Sequence, residues 1–331
     1  MASDRPVVLA VDGNSLAHRA YHAISGTEDA RGHYVTGGVL GMLGTAWAHG
    51  PFAAVVVAFD HPENHRKRDF PEYKANRSHD DALHAHLVHL QEHLAECGFT
   101  VRITPGAEAD DLLAAAADEA TAAGCRCTIL SSDRDLTALV SDDVTLLRPR
   151  GTMADLRVED PPAVLREYGV RPDQYADLAA LRGDPSDGLV GVTGVGPKSA
   201  ARLLRDYGSL AGIYANLCHL PPKLEAALRA GRDIAERNRL LMSPLPHLAV
   251  DVAGAVAAGI DLDRIDDVLT GLGLGYAAGR FRAAVNRPAL PPTPPPPTDA
   301  DVPEIAALPE SLVERRRTAV LTYEGEQAAL F

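Results

Sequence analysis

The chain has 331 residues, enough for one large domain or for one domain with a smaller module and a tail. A hydrophobic content of 46% permits a substantial core, and no apolar stretch has the length needed to span a bilayer. The N-terminal sequence MASDRPVV lacks a signal-peptide pattern, so we expect a cytoplasmic protein with no membrane partner. The four cysteines have no CxxC spacing, which favours reduced thiols.

The formal net charge of −13 argues, taken alone, against a nucleic-acid partner. Bulk charge is a poor guide if many of the acids belong to one site, because bound cations would offset them. The local distribution of charge is therefore the more informative property.

Three apolar runs in the first half of the chain each lead into aspartate. Runs such as VVLAV and AAVVVAF are typical of parallel strands covered by helices on both faces. With further strands expected at 100–103 and 144–147, the alternation of strands and helices predicts an α/β fold with a doubly wound, mostly parallel sheet. The three runs and their acids are residues 7–11 with Asp12, residues 53–59 with Asp60, and residues 128–130 with Asp133 and Asp135.

Residues 105–117, PGAEADDLLAAAA, predict a short apolar helix with Glu108, Asp110 and Asp111 in its first turn. Acids there could simply complement the helix dipole, at about 0.3–1 kcal/mol each. Ligand sites in open parallel sheets form at the carboxyl ends of the strands, where the strand-terminal aspartates would join these acids. Two carboxylates about 5 Å apart repel by roughly 3 kcal/mol, so such a group would bind cations or protonate in part. An all-oxygen set selects Mg²⁺ or Mn²⁺, and we favour a metal site.

The stretch that follows Asp60 is polar and basic, with aromatic residues between the charges. Two interpretations stay open: a solvated surface loop, or a channel for single-stranded nucleic acid. The basic and aromatic residues are Arg66, Lys67, Arg68, Phe70, Tyr73, Lys74 and Arg77.

An amphipathic helix is expected over residues 80–97, and it carries four histidines. The i, i+4 spacing of His89 and His93 permits a zinc site. No acid or cysteine lies on the same face, so the favoured interpretation is an exposed histidine-rich surface. The remaining two histidines are His84 and His86.

The chain changes character at residue 161, where short helical segments replace strands. Asp184 and Asp187 precede a glycine hairpin over residues 194–198, which contains Gly194, Gly196 and Lys198 and leads into a helix expected at 199–207. Such a turn can simply connect two helices, but together with the lysine and the nearby acids it favours a phosphate-binding helix N-terminus. Residues 221–285 are expected to be helical, and 286–298 form a polyproline linker before a polar tail.

Together these stretches resemble the flap endonuclease/5′–3′ exonuclease family, and within it the N-terminal nuclease domain of bacterial DNA polymerase I. Any one piece would be weak, but their joint occurrence in family order over about residues 7–216 is specific. The absence of a polymerase or proofreading sequence suggests a free-standing nuclease. The matching pieces are VDGNSLAHRAYHA, FD at 59–60, PEYKANR, PGAEADD, SSDRDL and GDPSDGLVGVTGVGPKSAARLL.

The resemblance implies a PIN-like α/β nuclease fold with a helical arch at about 61–97. The core would span 1–160, and a helical DNA-binding subdomain would span 161–285, with a helix-three-turn-helix element at about 173–216. Residues 286–331 would be a proline-rich linker and a disordered tail.

The resemblance also assigns roles to individual residues. Two Mg²⁺ or Mn²⁺ ions would activate water and stabilise the leaving oxygen. Arg19, Lys74 and Arg77 would hold and polarise the scissile phosphate. Arg66, Tyr73, Gly194, Gly196 and Lys198 would bind DNA, with a K⁺ ion possible near the glycine hairpin. The metal-binding acids would be Asp12, Asp60, Glu108, Asp110, Asp111, Asp133, Asp135, Asp184 and Asp187.

The sequence departs from the family pattern at three positions. Gly188 and Val190 stand where asparagine and proline are usual, and Arg134 replaces a lysine between Asp133 and Asp135. None of these changes removes an expected metal ligand, although the first two bear on the hairpin geometry.

The implied function is hydrolysis of DNA, and of RNA primers, at 5′ flaps, nicks and 5′ ends in replication and repair, by a monomer at the nucleoid. The alternatives are a structure-specific DNA-binding protein that does not cut, and a PIN-type ribonuclease. The C-terminal residues Gln327, Leu330 and Phe331 resemble the short peptide by which bacterial replication proteins bind the sliding clamp, although a hydrophobic chain end can also have no function.

Overall fold

The computed structural model describes residues 5–23, 33–74 and 81–287, without the side chains of residues 81, 82, 153 and 154. All of these residues belong to one compact unit, Met1–Ala289. The predicted phosphate-binding residue Arg77 lies outside the described residues, as do the predicted clamp-binding residues Gln327, Leu330 and Phe331.

The centre of the fold is a six-stranded sheet in the order β3-β2-β1-β4-β5-β6. Strands β1 to β5 all run parallel to one another, and β6 runs antiparallel to β5. A separate two-stranded ribbon is formed by β7 and β8. The strands are β1 (Val7–Asp12), β2 (Ala54–Phe59), β3 (Thr100–Ile103), β4 (Arg126–Leu130), β5 (Val144–Arg150), β6 (Thr152–Glu159), β7 (Gly183–Asp184) and β8 (Leu189–Val190).

Helices cover both faces of the sheet, and this explains why β2, and β1 up to Asp12, are entirely apolar. In β1, Leu9 and Val11 pack into one hydrophobic cluster, and Val8 and Ala10 pack into the cluster on the opposite face. The helices are α1 (Gly13–Ala23), α2 (His33–Ala46), α3 (His65–Asp69), α4 (Asp81–Glu96), α5 (Ala109–Ala122), α6 (Pro161–Tyr168), α7 (Tyr175–Arg182), α8 (Pro197–Tyr207), α9 (Leu210–Ala215), α10 (Pro222–Ala230), α11 (Arg232–Leu241), α12 (Val252–Ala258), α13 (Leu262–Gly271) and α14 (Gly275–Val285).

The two layers and a helical region have separate cores. Helices α1, α2, α4, α13 and α14 supply the cluster on one face of the sheet, and α5 and α12 supply the other. Helices α7 to α11 enclose a third cluster around Tyr175, Leu204 and Ile213. The predicted α/β fold, with a mostly parallel sheet followed by a helical region, is confirmed.

The strand order places the ends of β2, β1 and β4 side by side. The chain builds the sheet in both directions from β1, so the switch in strand order falls between β1 and β4. Ligand sites in open parallel sheets form at this position, outside the carboxyl ends of the strands.

The edge strand β6 was not predicted, although it spans eight residues. Its sequence, TMADLRVE, carries four polar or charged residues and lacks the apolar run that identified the parallel strands. An antiparallel edge strand needs only one buried face, so its signal is weaker.

The basic stretch after Asp60 contains a short helix, α3, that neither interpretation of the sequence predicted. Its N-cap is Asn64, whose side chain accepts a hydrogen bond from the Lys67 amide at 3.0 Å. The helix turns Arg66 inward, where the residue is only 4% exposed.

The histidine-rich helix α4 is less exposed than its sequence predicted. His93 is buried and hydrogen-bonded through Nδ1 to Thr36 Oγ1 at 2.8 Å. His86 and His89 are half-buried, and only His84 is exposed. In the described ranges, no group of three or more histidine, cysteine or acidic side chains is arranged to bind a metal ion.

The four cysteines are free, and three of them are buried. No helix among the described residues combines the length and apolar character required to cross a membrane.

Candidate functional site

Asp12 and Asp60 lie at the carboxyl ends of adjacent strands. The Asp12 carboxylate accepts hydrogen bonds from Ser131 Oγ at 2.6 Å and from the Ser15 amide at 2.9 Å. Asp60 Oδ1 accepts a hydrogen bond from the amide of Ala109, the first residue of α5, at 2.8 Å. The end of β2 is thereby joined to the start of the acidic helix.

Burial raises the pKa of Asp12 to about 7, and the nearby charges of Asp60 and Asp133 add to this effect. Loss of water also raises the pKa of Asp110 well above its ordinary value, and Asp133, Asp12 and Asp60 contribute further. These four carboxyl groups form one electrostatically coupled set at the switch point, which we call the strand-end acids.

A second set surrounds Asp135, whose pKa is also raised well above the ordinary value. Desolvation is the largest cause, followed by the charges of Asp133, Asp187 and Asp184. We call Asp135, Asp184 and Asp187 the turn acids, because they lie in two short turns outside the sheet. Asp133 belongs electrostatically to both sets, and its Oδ1 accepts a hydrogen bond from the Asp135 amide at 2.9 Å.

The remaining two predicted metal ligands, Glu108 and Asp111, are occupied by an arginine. Arg66 makes two hydrogen bonds to Asp111, at 2.8 and 2.7 Å, and one to Glu108 at 3.0 Å. Asp111 also accepts from the amides of Glu108 and Leu245, both at 2.9 Å. Although burial raises it, the pKa of Asp111 is lowered overall by Arg66 and these amides.

This arrangement bears on two sequence predictions, which stay predictions. Arg66 was expected to contact DNA, but its guanidinium is buried and also donates to the carbonyl oxygens of Leu241 and Ser243. Asp111 was expected to bind metal, but it is fully buried and both of its oxygens are already engaged. Sequence could not distinguish these acids from Asp110, because the arginine that binds them lies more than 40 residues earlier.

Tyr73 and Lys74 connect the ion-paired acids to the turn acids. The Tyr73 hydroxyl lies 3.3 Å from Glu108 Oε2 and 3.2 Å from Asp187 Oδ2. Lys74 Nζ lies 3.3 Å from Glu108 Oε1 and 4.0 Å from Asp187 Oδ2. Although burial lowers it, the pKa of Lys74 is held well above its usual value by Tyr73, Glu108 and Asp187.

Tyr73 is only 5% exposed, so its ring is not an open surface on which a DNA base could stack. The predicted DNA contact of Tyr73 is therefore not supported by its position. Lys74 lies beside the acids, and its backbone is left-handed (φ 54°).

Arg19 borders the strand-end acids. Its guanidinium donates to Ser132 Oγ at 2.8 Å and to the carbonyl of Gly151 at 3.1 Å. The glycine hairpin lies in the helical region, where Gly194 has a φ of +85° and Gly196 is the N-cap of α8. Lys198 and both glycines are exposed.

The strand-end and turn acids fit a hard divalent cation in their chemistry. All donors are carboxylates, and Asp135 Oδ1 is a buried oxygen without a hydrogen-bond partner. A cavity of about 40 Å³ is lined in part by Asp110 and Asp135, and this volume accommodates a water molecule or an ion. Within the described residues, no three acidic side chains surround one point closely enough to hold a metal ion.

Two residues that the sequence did not single out fix the geometry of the acids. Ser131 bonds to Asp12 as described, and it also accepts from the Asp133 amide at 2.9 Å. Asn14 Oδ1 accepts from the Asp60 amide at 2.9 Å. Both stand directly beside strand-terminal acids, and that position is the signal that could have identified them.

An α/β domain with an acidic sheet edge, followed by a helical domain, is matched by two family models. The 5′–3′ exonuclease N-terminal resolvase-like domain matches residues 7–169, and the 5′–3′ exonuclease C-terminal SAM fold matches residues 170–255. The chain belongs to the 5′–3′ exonuclease family, as its motifs predicted.

Curated relatives include DNA polymerase I of Mycobacterium tuberculosis, which is 42% identical over 243 residues, or 72% of this chain. The thermostable DNA polymerase I of Thermus thermophilus is 38% identical over 255 residues, or 74% of this chain. The aligned regions cover only 27% and 30% of these polymerases. This chain therefore resembles a limited part of each relative.

Solved structures share the fold. The T5 D15 protein, co-crystallised with metal ions, has a TM-score of 0.60 at 21% identity, covering 84% of this chain and 99% of that chain. The catalytic core of Rad2 in complex with a DNA substrate has a TM-score of 0.55 at 17% identity, covering 86% and 93%.

Proposed function

We propose that this protein is a structure-specific 5′–3′ exonuclease and flap endonuclease that hydrolyses DNA, and RNA primers, with two divalent cations. The observation that carries the proposal is the set of coupled carboxyl groups at the carboxyl edge of β2, β1 and β4. Asp12, Asp110 and Asp135 all have raised pKa values, first through desolvation and then through neighbouring acids. A site of this kind is stabilised by cations.

The strand-end acids and the turn acids would hold the ions, Mg²⁺ or Mn²⁺, with Asp133 between the two sets. When bound, such ions make a water molecule more acidic and stabilise negative charge on a leaving oxygen. Lys74 would neutralise charge on the phosphoryl oxygens, because Glu108 and Asp187 keep its ammonium group protonated beside the acids. Arg19 and Arg77 would assist in holding the phosphate.

The glycine hairpin and Lys198 would grip the backbone of duplex DNA away from the reacting phosphate. The start of α8 is exposed from Gly196 to Lys198, and a helix N-terminus that carries an exposed lysine suits a phosphate contact. A K⁺ ion bound near this hairpin would be part of the same contact.

The test is a cleavage assay on 5′-flap, nicked, gapped and RNA-primer substrates, each with Mg²⁺ and with EDTA. We expect Mg²⁺-dependent cleavage of flap DNA that leaves 5′-phosphorylated fragments. Tight binding to flap DNA without cleavage would instead indicate a DNA-binding protein that does not cut. Preferential cleavage of unstructured RNA would indicate a ribonuclease.

The predicted partner at the C-terminus is a separate proposal. Gln327, Leu330 and Phe331 would bind a bacterial sliding clamp and keep a monomeric nuclease at replicating DNA in the nucleoid. Deletion of residues 327–331 should abolish clamp binding, measured by surface plasmon resonance, while leaving cleavage of free flap DNA unchanged. Unchanged clamp affinity after the deletion would remove this proposal.

A further inference from the structure

The Asp135 turn is anchored by a carboxylate that the sequence gave no reason to select. Glu159, the last residue of β6, is fully buried. Its Oε2 accepts a hydrogen bond from Thr137 Oγ1 at 3.2 Å, and Thr137 is also fully buried. Thr137 lies two residues after Asp135 in a 3₁₀ turn, Asp135–Leu139.

The negative charge of Glu159 is balanced from the neighbouring strand. Arg148 on β5 makes a short ion pair with Glu159 Oε1, and it also donates to the Tyr168 hydroxyl at 2.6 Å. Arg157 lies 3.7 Å from the same carboxylate oxygen. This charged group joins β5, β6 and α6 to the turn that carries Asp135.

A contribution to stability does not by itself explain why the charged Glu159 is buried beside its arginine partners. Replacing a buried ion pair by apolar side chains is often neutral or stabilising, so a buried pair can instead serve to fix one geometry. Asp135 needs support of that kind, because its Oδ1 is buried without a hydrogen-bond partner. The position of this oxygen therefore depends on the turn, and the turn is bonded to Glu159 through Thr137.

We propose that Glu159 and Thr137 are positioning residues that hold the Asp135 carboxylate in place for a divalent cation. The inference rests on the proposed function, since it takes Asp135 to be a cation ligand. Loss of an outer-shell partner bonded to a metal ligand typically weakens metal binding by about 10–100-fold. Thr137 and Glu159 act on Asp135 through the turn, so we expect an effect at the lower end of this range.

The test compares three single variants. Thr137→Val removes the hydroxyl and keeps the shape, and Thr137→Ser restores the hydroxyl. The matched control is Thr36→Val, which removes another fully buried hydroxyl that is hydrogen-bonded to His93. Thr36 lies in α2, which packs on the opposite face of the sheet from the turn. Three measurements are made on each variant. The dissociation constant for Mg²⁺ is measured by calorimetry, the melting temperature is measured in EDTA, and kcat and KM are measured with flap DNA as the substrate.

We expect Thr137→Val to weaken Mg²⁺ binding by about tenfold or more and to lower kcat, with KM for DNA unchanged. Thr137→Ser should bind Mg²⁺ within about threefold of wild type, and Thr36→Val should lower the melting temperature without weakening Mg²⁺ binding. If Thr137→Val does not fold, Thr137→Ala carries the same comparison.

The pairing of the two residues is tested by a double-mutant cycle. Thr137→Val combined with Glu159→Leu should bind Mg²⁺ as weakly as Glu159→Leu alone, because the contact that Thr137→Val removes is already absent from that variant. Mg²⁺ affinity of Thr137→Val equal to that of wild type, or equal weakening by Thr36→Val, would overturn the inference while leaving the proposed function intact. A wild-type protein that neither binds Mg²⁺ nor cleaves flap DNA would overturn both.

Discussion

Carboxylates at this site differ in what balances their charge. Asp111 has a buried arginine and two backbone amides as partners, whereas Asp12 and Asp110 have mainly hydroxyl groups, amides or other acids around them. The first kind is stable without a cation, and the second is not. We therefore expect substitutions in the two groups to have opposite effects on stability.

Replacing Arg66 by methionine should destabilise the fold by about 3–5 kcal/mol, because it leaves the buried Asp111 carboxylate without its ion-pair partner. The matched control is Arg68→Met, since Arg68 pairs with Asp69 on the surface and its side chain is 74% exposed. Exposed pairs contribute about 0–1 kcal/mol. Urea unfolding of both variants in EDTA measures the difference, and equal losses would show that the Arg66 cluster is not a structural ion pair.

Asp12 gives a prediction about pH in the absence of divalent cations. Burial raises the pKa of Asp12 in the folded protein to about 7, from an ordinary value of 3.8. Between these values the unfolded chain has released this proton and the folded chain has not, so the contribution of Asp12 to stability falls as the pH rises.

The change that isolates this contribution is Asp12→Asn, whose amide can still bond to Ser131 and Ser15. The compared quantity is the free energy of unfolding of the variant minus that of wild type, both in EDTA. This difference should increase from about pH 4 to about pH 7, because only wild type has a carboxyl group at residue 12 that titrates in this range. Urea unfolding across this pH range provides the measurement. A difference that stays constant with pH would contradict the raised pKa.

The sequence predicted where the strands end and which acids lie near those ends, but it did not predict the hydrogen-bond partner of each acid. The motif PGAEADD places Glu108, Asp110 and Asp111 in one helical turn, and the local pattern treats them alike. Their difference arises from Arg66 and from the amide of Leu245, which approach only in the folded chain. Contacts between residues so far apart in the sequence leave no signal in the local sequence pattern.

At the scale of elements, strands buried on both faces were the most predictable. The runs that became β1 and β2 are continuously apolar up to their acids, and β4 ends in the apolar pair Ile129 and Leu130 shortly before Asp133. The edge strand β6 and the short helix α3 were missed. The first buries only part of its surface, and the second depends on an Asn64 cap and on ion pairs made by Arg66.

The hairpin before α8 gives a prediction at the element scale. Lys198→Ala should weaken binding to duplex DNA and reduce the slope of log affinity against log salt by about 1, if Lys198 contacts a phosphate. Lys223→Ala is the control, because Lys223 is also exposed and lies near the start of α10. Fluorescence anisotropy over a salt series measures both slopes, and equal slopes for the two variants would exclude the contact.

At the scale of the molecule, the helical region is bonded directly to the acidic site. Arg66 donates to the carbonyl oxygens of Leu241 and Ser243, and Asp111 accepts from the Leu245 amide. Arg239 in α11 donates to Ser243 Oγ and to Asp177 Oδ1, both at 2.7 Å. The segment after α11 therefore ties α7 to the helix that carries Asp110.

These hydrogen bonds allow the sheet and the helical region to have separate proposed roles in one connected site. The sheet edge would supply cation ligands, and the helical region would supply the contact with duplex DNA. The two regions are connected by buried hydrogen bonds, so their relative placement is part of the fold.

The most direct measurement is the rate of 5′-flap cleavage by wild type and Asp110→Asn over a range of Mg²⁺ concentrations, with stability in EDTA measured in parallel. Neighbouring acids and loss of water raise the pKa of Asp110, so its asparagine variant should be at least as stable as wild type. We predict that wild type cleaves only with Mg²⁺ and that the variant loses about a hundredfold or more in rate. Cleavage by wild type in EDTA, or an unchanged rate in a folded Asp110→Asn variant, would contradict the account.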